Sequence, residues 1–250
     1  MPQATDFHGS NSGSSRTSRD LERLVQILIN GDRVGARDLV REYLDARSST
    51  RSSHDASDAL RELAWPACGT IDALARRDQI STAVEQTATV LLAQLVQRIE
   101  CGLTKHPARC REVMIATGPR ATEQLAGEIL AGIAEADGFD VHFLGAGIES
   151  DELFASISAR QPAYFISFAA TGSDAPRLRR LLNMIRTHDP VPGLRIGVGG
   201  GVFNRAAGLG DEIGADFEAA CPFAMLDALR GLESTPTARR SVSPRRPKAA

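Results

Sequence analysis

The chain has 250 residues, a formal net charge of −2, 42% hydrophobic residues and 24% charged residues. This is an ordinary balance for a globular protein with room for one large domain or two modest ones. Five basic residues and no acid lie between Ser234 and Ala250, so the body is acidic and lacks the clustered basic surface that general nucleic-acid binding needs. The basic tail 234–250 reads as solvated and disordered, with contact to nucleic acid or an acidic partner as its other use. Cys68, Cys101, Cys110 and Cys221 show no CxxC or zinc spacing. With no apolar signal segment and no run of about 18 apolar residues, the expectation is a soluble cytoplasmic protein with reduced thiols and no membrane contact.

Residues 1–18 are low in complexity and are expected to be disordered. A helical bundle then occupies 19–102. Its first helix starts at Ser18-Arg-Asp-Leu-Glu, places Leu21, Leu24, Val25, Leu28 and Ile29 on one face, and ends at Asn30-Gly31. A second helix runs through Ala36, Leu39, Val40 and Tyr43, and a polar connector covers 47–54. Two more helices are predicted at about 55–76, with a kink or start at Pro66, and at 80–101. From Arg111 the period changes. Short apolar runs at Val113–Thr117, Val141–Leu144, Tyr164–Phe168, Ile196–Val198 and Phe217–Ala220 alternate with helical stretches at about 121–136, 150–160, 174–187, 203–213 and 222–232. This βα pattern over 110–233 predicts a five-stranded parallel sheet with helices on both faces, a flavodoxin-like (Rossmann-like) α/β domain. Right-handed crossovers bring the carboxyl ends of all strands to one rim.

The loops on that rim carry the recognisable residues. They are Phe143-Leu-Gly145 at the end of strand two, Ser167 at the end of strand three, Gly199-Gly200-Gly201 after strand four, and Ile213-Gly-Ala-Asp216. With the preceding bundle, they make residues 31–232 resemble the cobalamin-binding module of methionine synthase, corrinoid methyltransferase proteins and B12-dependent light-sensing regulators. The resemblance implies that Ser167 and the glycines line a slot for the cofactor's nucleotide tail. It also aligns Pro66–Ser81, without gaps, with the segment whose tryptophan caps the corrin and is followed by Glu-His. Those positions are Ala75, Glu85 and Gln86 here, so the glutamate is kept and the other two are not. Relatives that ligate cobalt use Asp-x-His-x-x-Gly after strand one. Counting back from Gly138 and Leu144 puts Glu123 or its neighbour at that histidine, and Thr117–Gln124 contains no histidine.

Each candidate has a plain alternative. Ser167 would either hydrogen-bond a cofactor tail or cap a turn, and Gly199–Gly201 would admit a ligand or make a tight turn before a helix. Thr117 opens the loop after strand one. Glu123 is a ligand-loop residue or a helix N-terminal acid, Arg120 beside it is an anion-binding candidate or solvated, and Asn204 and Arg205 contact a ligand or begin a helix. Glu85 points into the interdomain cleft or to solvent. His8, His54, His106, His142 and His188 are all badly placed for an axial ligand, so no metal ligand from this chain is expected. No catalytic triad, P-loop or paired metal ligands are seen.

The leading expectation is a non-enzymatic regulatory sensor that binds cobalamin, or a tetrapyrrole-sized ligand, between bundle and sheet and signals through a protein partner. The alternative is a ligand-free interaction scaffold with a vacated pocket. No recognition helix precedes the bundle, so a role in transcription would be indirect.

Overall fold

The computed structural model describes residues 11–48 and 55–234. The expectations for 1–10, 49–54 and 235–250, with His8 and His54, lie outside the described residues.

The first helix, α1 (Asn11–Ile29), begins earlier than expected, in the segment 11–18 that was read as a disordered tail. Its burying stripe is Leu24, Val25 and Leu28. Asp32 turns the chain into α2 (Arg33–Ser48), where its Oδ1 accepts from the Val34 and Gly35 amides at 3.1 and 3.0 Å. Arg47 and Ser48, placed in the polar connector by the sequence, are thus the last helical residues. The single helix expected over 55–76 is divided into α3 (Asp55–Ala59), a π-helical turn (Leu60–Ala64) and α4 (Trp65–Arg76). Pro66 has no N–H to offer to the preceding turn, which is where a widened turn costs least. Ser81 caps α5 (Thr82–Glu100), its hydroxyl accepting from Val84 N at 3.3 Å.

The α/β half contains β1 (Glu112–Thr117), α6 (Ala121–Ala136), β2 (Asp140–Ala146), α7 (Ser150–Arg160), β3 (Tyr164–Phe168) and α8 (Ala175–His188). It continues with β4 (Arg195–Gly199), α9 (Gly201–Arg205), α10 (Leu209–Ile213), β5 (Phe217–Ala219) and α11 (Pro222–Ser234). The strands form one parallel sheet in the order β2-β1-β3-β4-β5, the flavodoxin-like α/β arrangement expected. The helix expected over 203–213 is two short helices, because Gly208 adopts φ 81° between them.

Strand alternation sorts the core into two layers. Val113, Ile115, Ile166 and Phe168 point to α6 and α11 and join one hydrophobic cluster with the bundle. Met114, Ala116, Phe165, Ile196 and Val198 point the other way, against α7, α8 and α9. Helix α6 is thus packed on both sides, by the sheet and by α4 and α5. The linker is tied down below the sheet. Arg109 reaches Asp137 (2.8 Å) and Glu233 (2.7 Å), and Arg230 of α11 also reaches Asp137 (2.8 Å).

Candidate functional site

The strand order reverses between β1 and β3, so the loops after these strands diverge and open a crevice at the rim, the place where open α/β sheets bind ligands. Thr117 pairs in register with Phe168, and Phe168 with Gly199, which sets the three loop starts side by side. Two hollows result. A narrow slot of about 40 Å³ lies between the β1 and β3 ends and α7 and α8; Thr117, Ser167, Ile148, Ser150 and Arg177 are among its lining residues. A wider cleft of about 240 Å³ lies between α4 and the rim.

The floor of the cleft is Thr122, Glu123, Ala126, Phe168, Ala170, Gly200, Gly201, Asn204, Arg205 and Ala220, and its roof is Trp65, Cys68, Gly69, Asp72 and Arg76. The roof residues recur at three and four positions along α4, so one face of that helix is turned to the rim. The sequence-derived site is therefore divided: Ser167 and Thr117 belong to the slot, Glu123, Gly200 and Gly201 to the cleft. The Thr117 hydroxyl is buried without a hydrogen-bond partner.

Four expected residues line neither hollow: Gly199, Ala75, Glu85 and Gln86. Ala75 flanks the cleft-facing side of α4 without lining the cleft. Glu85 stands in the first turn of α5, where its charge suits the helix N-terminus, and Gln86 is exposed beside it. The cleft does carry a tryptophan, at another position of α4. Trp65, the only tryptophan of the chain, enters the cleft from the start of α4. Its position just before Pro66, which favours the first turn of a helix, is the signal that could have found it.

Glu123 is 2% exposed and fully engaged. One carboxylate oxygen accepts from the Arg120 amide at 3.1 Å and closes the N-terminus of α6; the other accepts from the Ala170 amide after β3. It thereby staples the two diverging loops. Burial pushes its pKa up to about 7 against the lowering effect of both amides; Asp174 raises it further and Arg120 opposes. Cys68 is inert at neutral pH, its thiol pushed up to about 12 by burial and then by Asp72.

The glycines serve packing first. Gly200 has φ 105°, and a Cβ there would overlap the Ala169 carbonyl, while one at Gly199 would press on Ala219 O and Phe168. Asn204 donates to Ala220 O at 2.9 Å and Arg205 to Ala170 O. Among the described residues no group of three or more His, Cys, Asp or Glu could hold a metal ion. None is long and apolar enough as a helix to cross a membrane.

The donor set does not fit ligation of cobalt by the protein, because no imidazole lines the cleft and both Glu123 oxygens are committed to backbone amides. It does fit a flat ligand held by its faces and edges. Trp65 offers an aromatic surface, Gly69, Gly200 and Gly201 present bare backbone, and Asn204 and Arg205 are polar at the margin.

No protein-family model and no curated protein sequence matches the chain. Solved structures do. The monomethylamine corrinoid protein of Methanosarcina barkeri superposes with a TM-score of 0.71 at 13% identity, over 88% of this chain and all of that one (100%). A cobalamin-binding protein from Desulfitobacterium hafniense DCB-2 gives a TM-score of 0.44 at 14% identity, over 84% and 97%. The methanol:cobalamin methyltransferase complex of Methanosarcina barkeri gives 0.45 at 10%, over 92% and 86%. The chain therefore has the fold of the monomethylamine corrinoid protein, a helical bundle joined to a flavodoxin-like five-stranded sheet.

Proposed function

We propose that the chain is a corrinoid-binding sensor module, taking a cobalamin between α4 and the sheet rim without a protein ligand on cobalt and signalling to a protein partner through the bundle. The observation that carries this reading is the roof-and-floor arrangement of the cleft: Trp65 and Gly69 above, Phe168, Gly200 and Gly201 below. When bound, a corrinoid supplies a coloured cobalt centre that responds to light and redox state. The chain's own residues hold and exclude: Trp65 covers one face, and Asn204 and Arg205 face the polar margin. Ser167 in the slot offers a hydroxyl to a ligand tail. At about 240 Å³ the cleft is below the roughly 300–1,000 Å³ typical of small-molecule sites. The bundle must therefore lift from the rim on binding, and that displacement is the output a partner can read. The Cys68 thiol in the roof is held protonated by burial and by Asp72, and the role proposed is binding, not catalysis.

The test is the absorbance spectrum of the protein after incubation with hydroxocobalamin or adenosylcobalamin and desalting. Retained corrinoid bands, lost by at least tenfold in affinity in Trp65→Ala, support the reading; a colourless protein with a flat titration refutes it. The second reading, a ligand-free scaffold, is favoured by the Glu123 staple, which already satisfies both loops. Gly69→Phe distinguishes them, because a Cβ at Gly69 meets nothing within 4 Å, so a ring can be attached there and directed into the cleft that Gly69 lines. A scaffold keeps its partner with this substitution, and a sensor loses its ligand.

A further inference from the structure

The contact between bundle and sheet domain is charged in an unexpected way. Glu100 is the last residue of α5, where the helix carbonyls already disfavour a negative side chain. Its carboxyl lies against the bare backbone of α6 at Gly132; a Cβ there would overlap Glu100 Cδ and Oε1. Glu128 stands one turn earlier on α6, and Glu135 on the turn after. The Oε1 of Glu100 and the Oε2 of Glu128 are both buried with no hydrogen-bond partner, although Glu128 Oε1 accepts from Gln124 at 3.3 Å. An ionised carboxylate so placed can only accept and finds no donor, while Glu128 and Glu135 add like charge around it; a protonated one avoids that cost.

We propose that the bundle is latched to the sheet domain by the protonated carboxyl of Glu100, buried against Gly132 of α6, so that losing this proton frees α5 from α6. The electrostatics agree. Burial, then the charges of Glu128 and Glu135, push the Glu100 carboxyl up to about 8, and burial also raises Glu128 against the Gln124 hydrogen bond. Among the described residues no cation offsets them. Arg98 on α5 and Lys105 and His106 on the linker are exposed. The charges on the other packed helices, Asp58 of α3, Asp72 and Arg76 of α4 and Arg230 of α11, do not figure among those acting on Glu100.

The direction follows from linkage. Once the bundle is free, Glu100 ionises in water at its ordinary value of 4.5; docked, it keeps its proton to about 8. Docking is therefore strongest below the ordinary value, weakens through neutrality, and has lost this contribution above about pH 8. The latch goes beyond the ligand reading and does not depend on it.

Trp65, under α4, reports the movement. Emission of the full chain is recorded from pH 5 to 9.5 alongside hydrogen exchange of the α6 amides, corrected for the intrinsic pH dependence. The wild type is expected to shift its emission to the red with a midpoint near pH 8. Its α6 protection should fall by up to about tenfold per pH unit between the two values. Glu100→Gln stays docked across the range, and Glu128→Gln moves the midpoint down. Glu123→Gln, which removes the other titrating carboxyl near Trp65, leaves the transition in place. A transition unchanged in Glu100→Gln, or one abolished by Glu123→Gln alone, overturns the latch. So does a wild type flat in both emission and exchange.

Discussion

Single residues here do work that their sequence neighbourhood only partly announces. Gly200 is held at φ 105° against the Ala169 carbonyl, so Gly200→Ala is expected to destabilise the protein by about 1–3 kcal/mol; the midpoint of urea unfolding measures this. Glu123 closes the N-terminus of α6, one of its two sequence readings, and also reaches the loop after β3. Counting along the chain put it where a metal ligand would stand, and the fold uses it to join two loops. Its carboxyl is raised from 4.5 to about 7, so its contribution is full below the lower value and lost as pH rises through the higher. In Glu123→Gln the decline of stability across that window should be shallower than in the wild type, as followed by urea midpoints at several pH values. Asp137 behaves oppositely. Burial raises its pKa, but the hydrogen bonds and charge of Arg230, with Arg109 and His106, outweigh this and hold the carboxyl below its ordinary 3.8. Its stabilisation is present above that value and is lost as pH falls through the depressed one. Asp137→Ala is expected to cost about 2–3 kcal/mol, less than a fully buried pair because both guanidiniums stay partly solvated.

At the level of elements, what could be read from sequence follows the strength of the periodic signal. The strands β1, β3 and β4 are short apolar runs buried on both faces, the edge strands β2 and β5 are short and only partly buried, and α5 and α6 carry long uninterrupted stripes, so their existence and type are legible. Interruptions are not. The π-helical turn before Pro66 and the break at Gly208 depend on which carbonyl or amide finds a partner in three dimensions. The helix over Asn11–Ile29 starts inside a serine- and glycine-rich segment of weak intrinsic preference. The same holds for the candidate site. The rim loops follow from the βα order, but the face α4 turns to the rim depends on its rotation, which brings Trp65 into the cleft and leaves Ala75 outside it. Caps are simpler. Asp32 accepts two amides at the start of α2, and Asp32→Ala should cost about 1 kcal/mol, visible as a lower thermal midpoint.

For the whole molecule, the main fact is that bundle and sheet share one hydrophobic cluster through α6. The two halves should therefore unfold in a single transition at acid pH, where the Glu100 proton is held, and separate into two as pH rises past about 8. Calorimetry at both ends of the range checks this. Titration of Glu100 and Glu123 works against stability above the ordinary carboxylate range, and that of Asp137 below it, so the optimum should be mildly acidic.

The double packing of α6 also bears on time. Leu125, Ile129, Leu130 and Ile133 are all at most 5% exposed, and any lifting of the bundle must wet part of this surface before a ligand arrives. Entry into the cleft is then gated by a rare opening, and its observed rate should level off with ligand concentration instead of rising without limit. Escape must cross the same barrier in reverse. If the chain is the sensor proposed above, it responds slowly and forgets slowly, integrating its signal over many encounters where an open groove would follow each one.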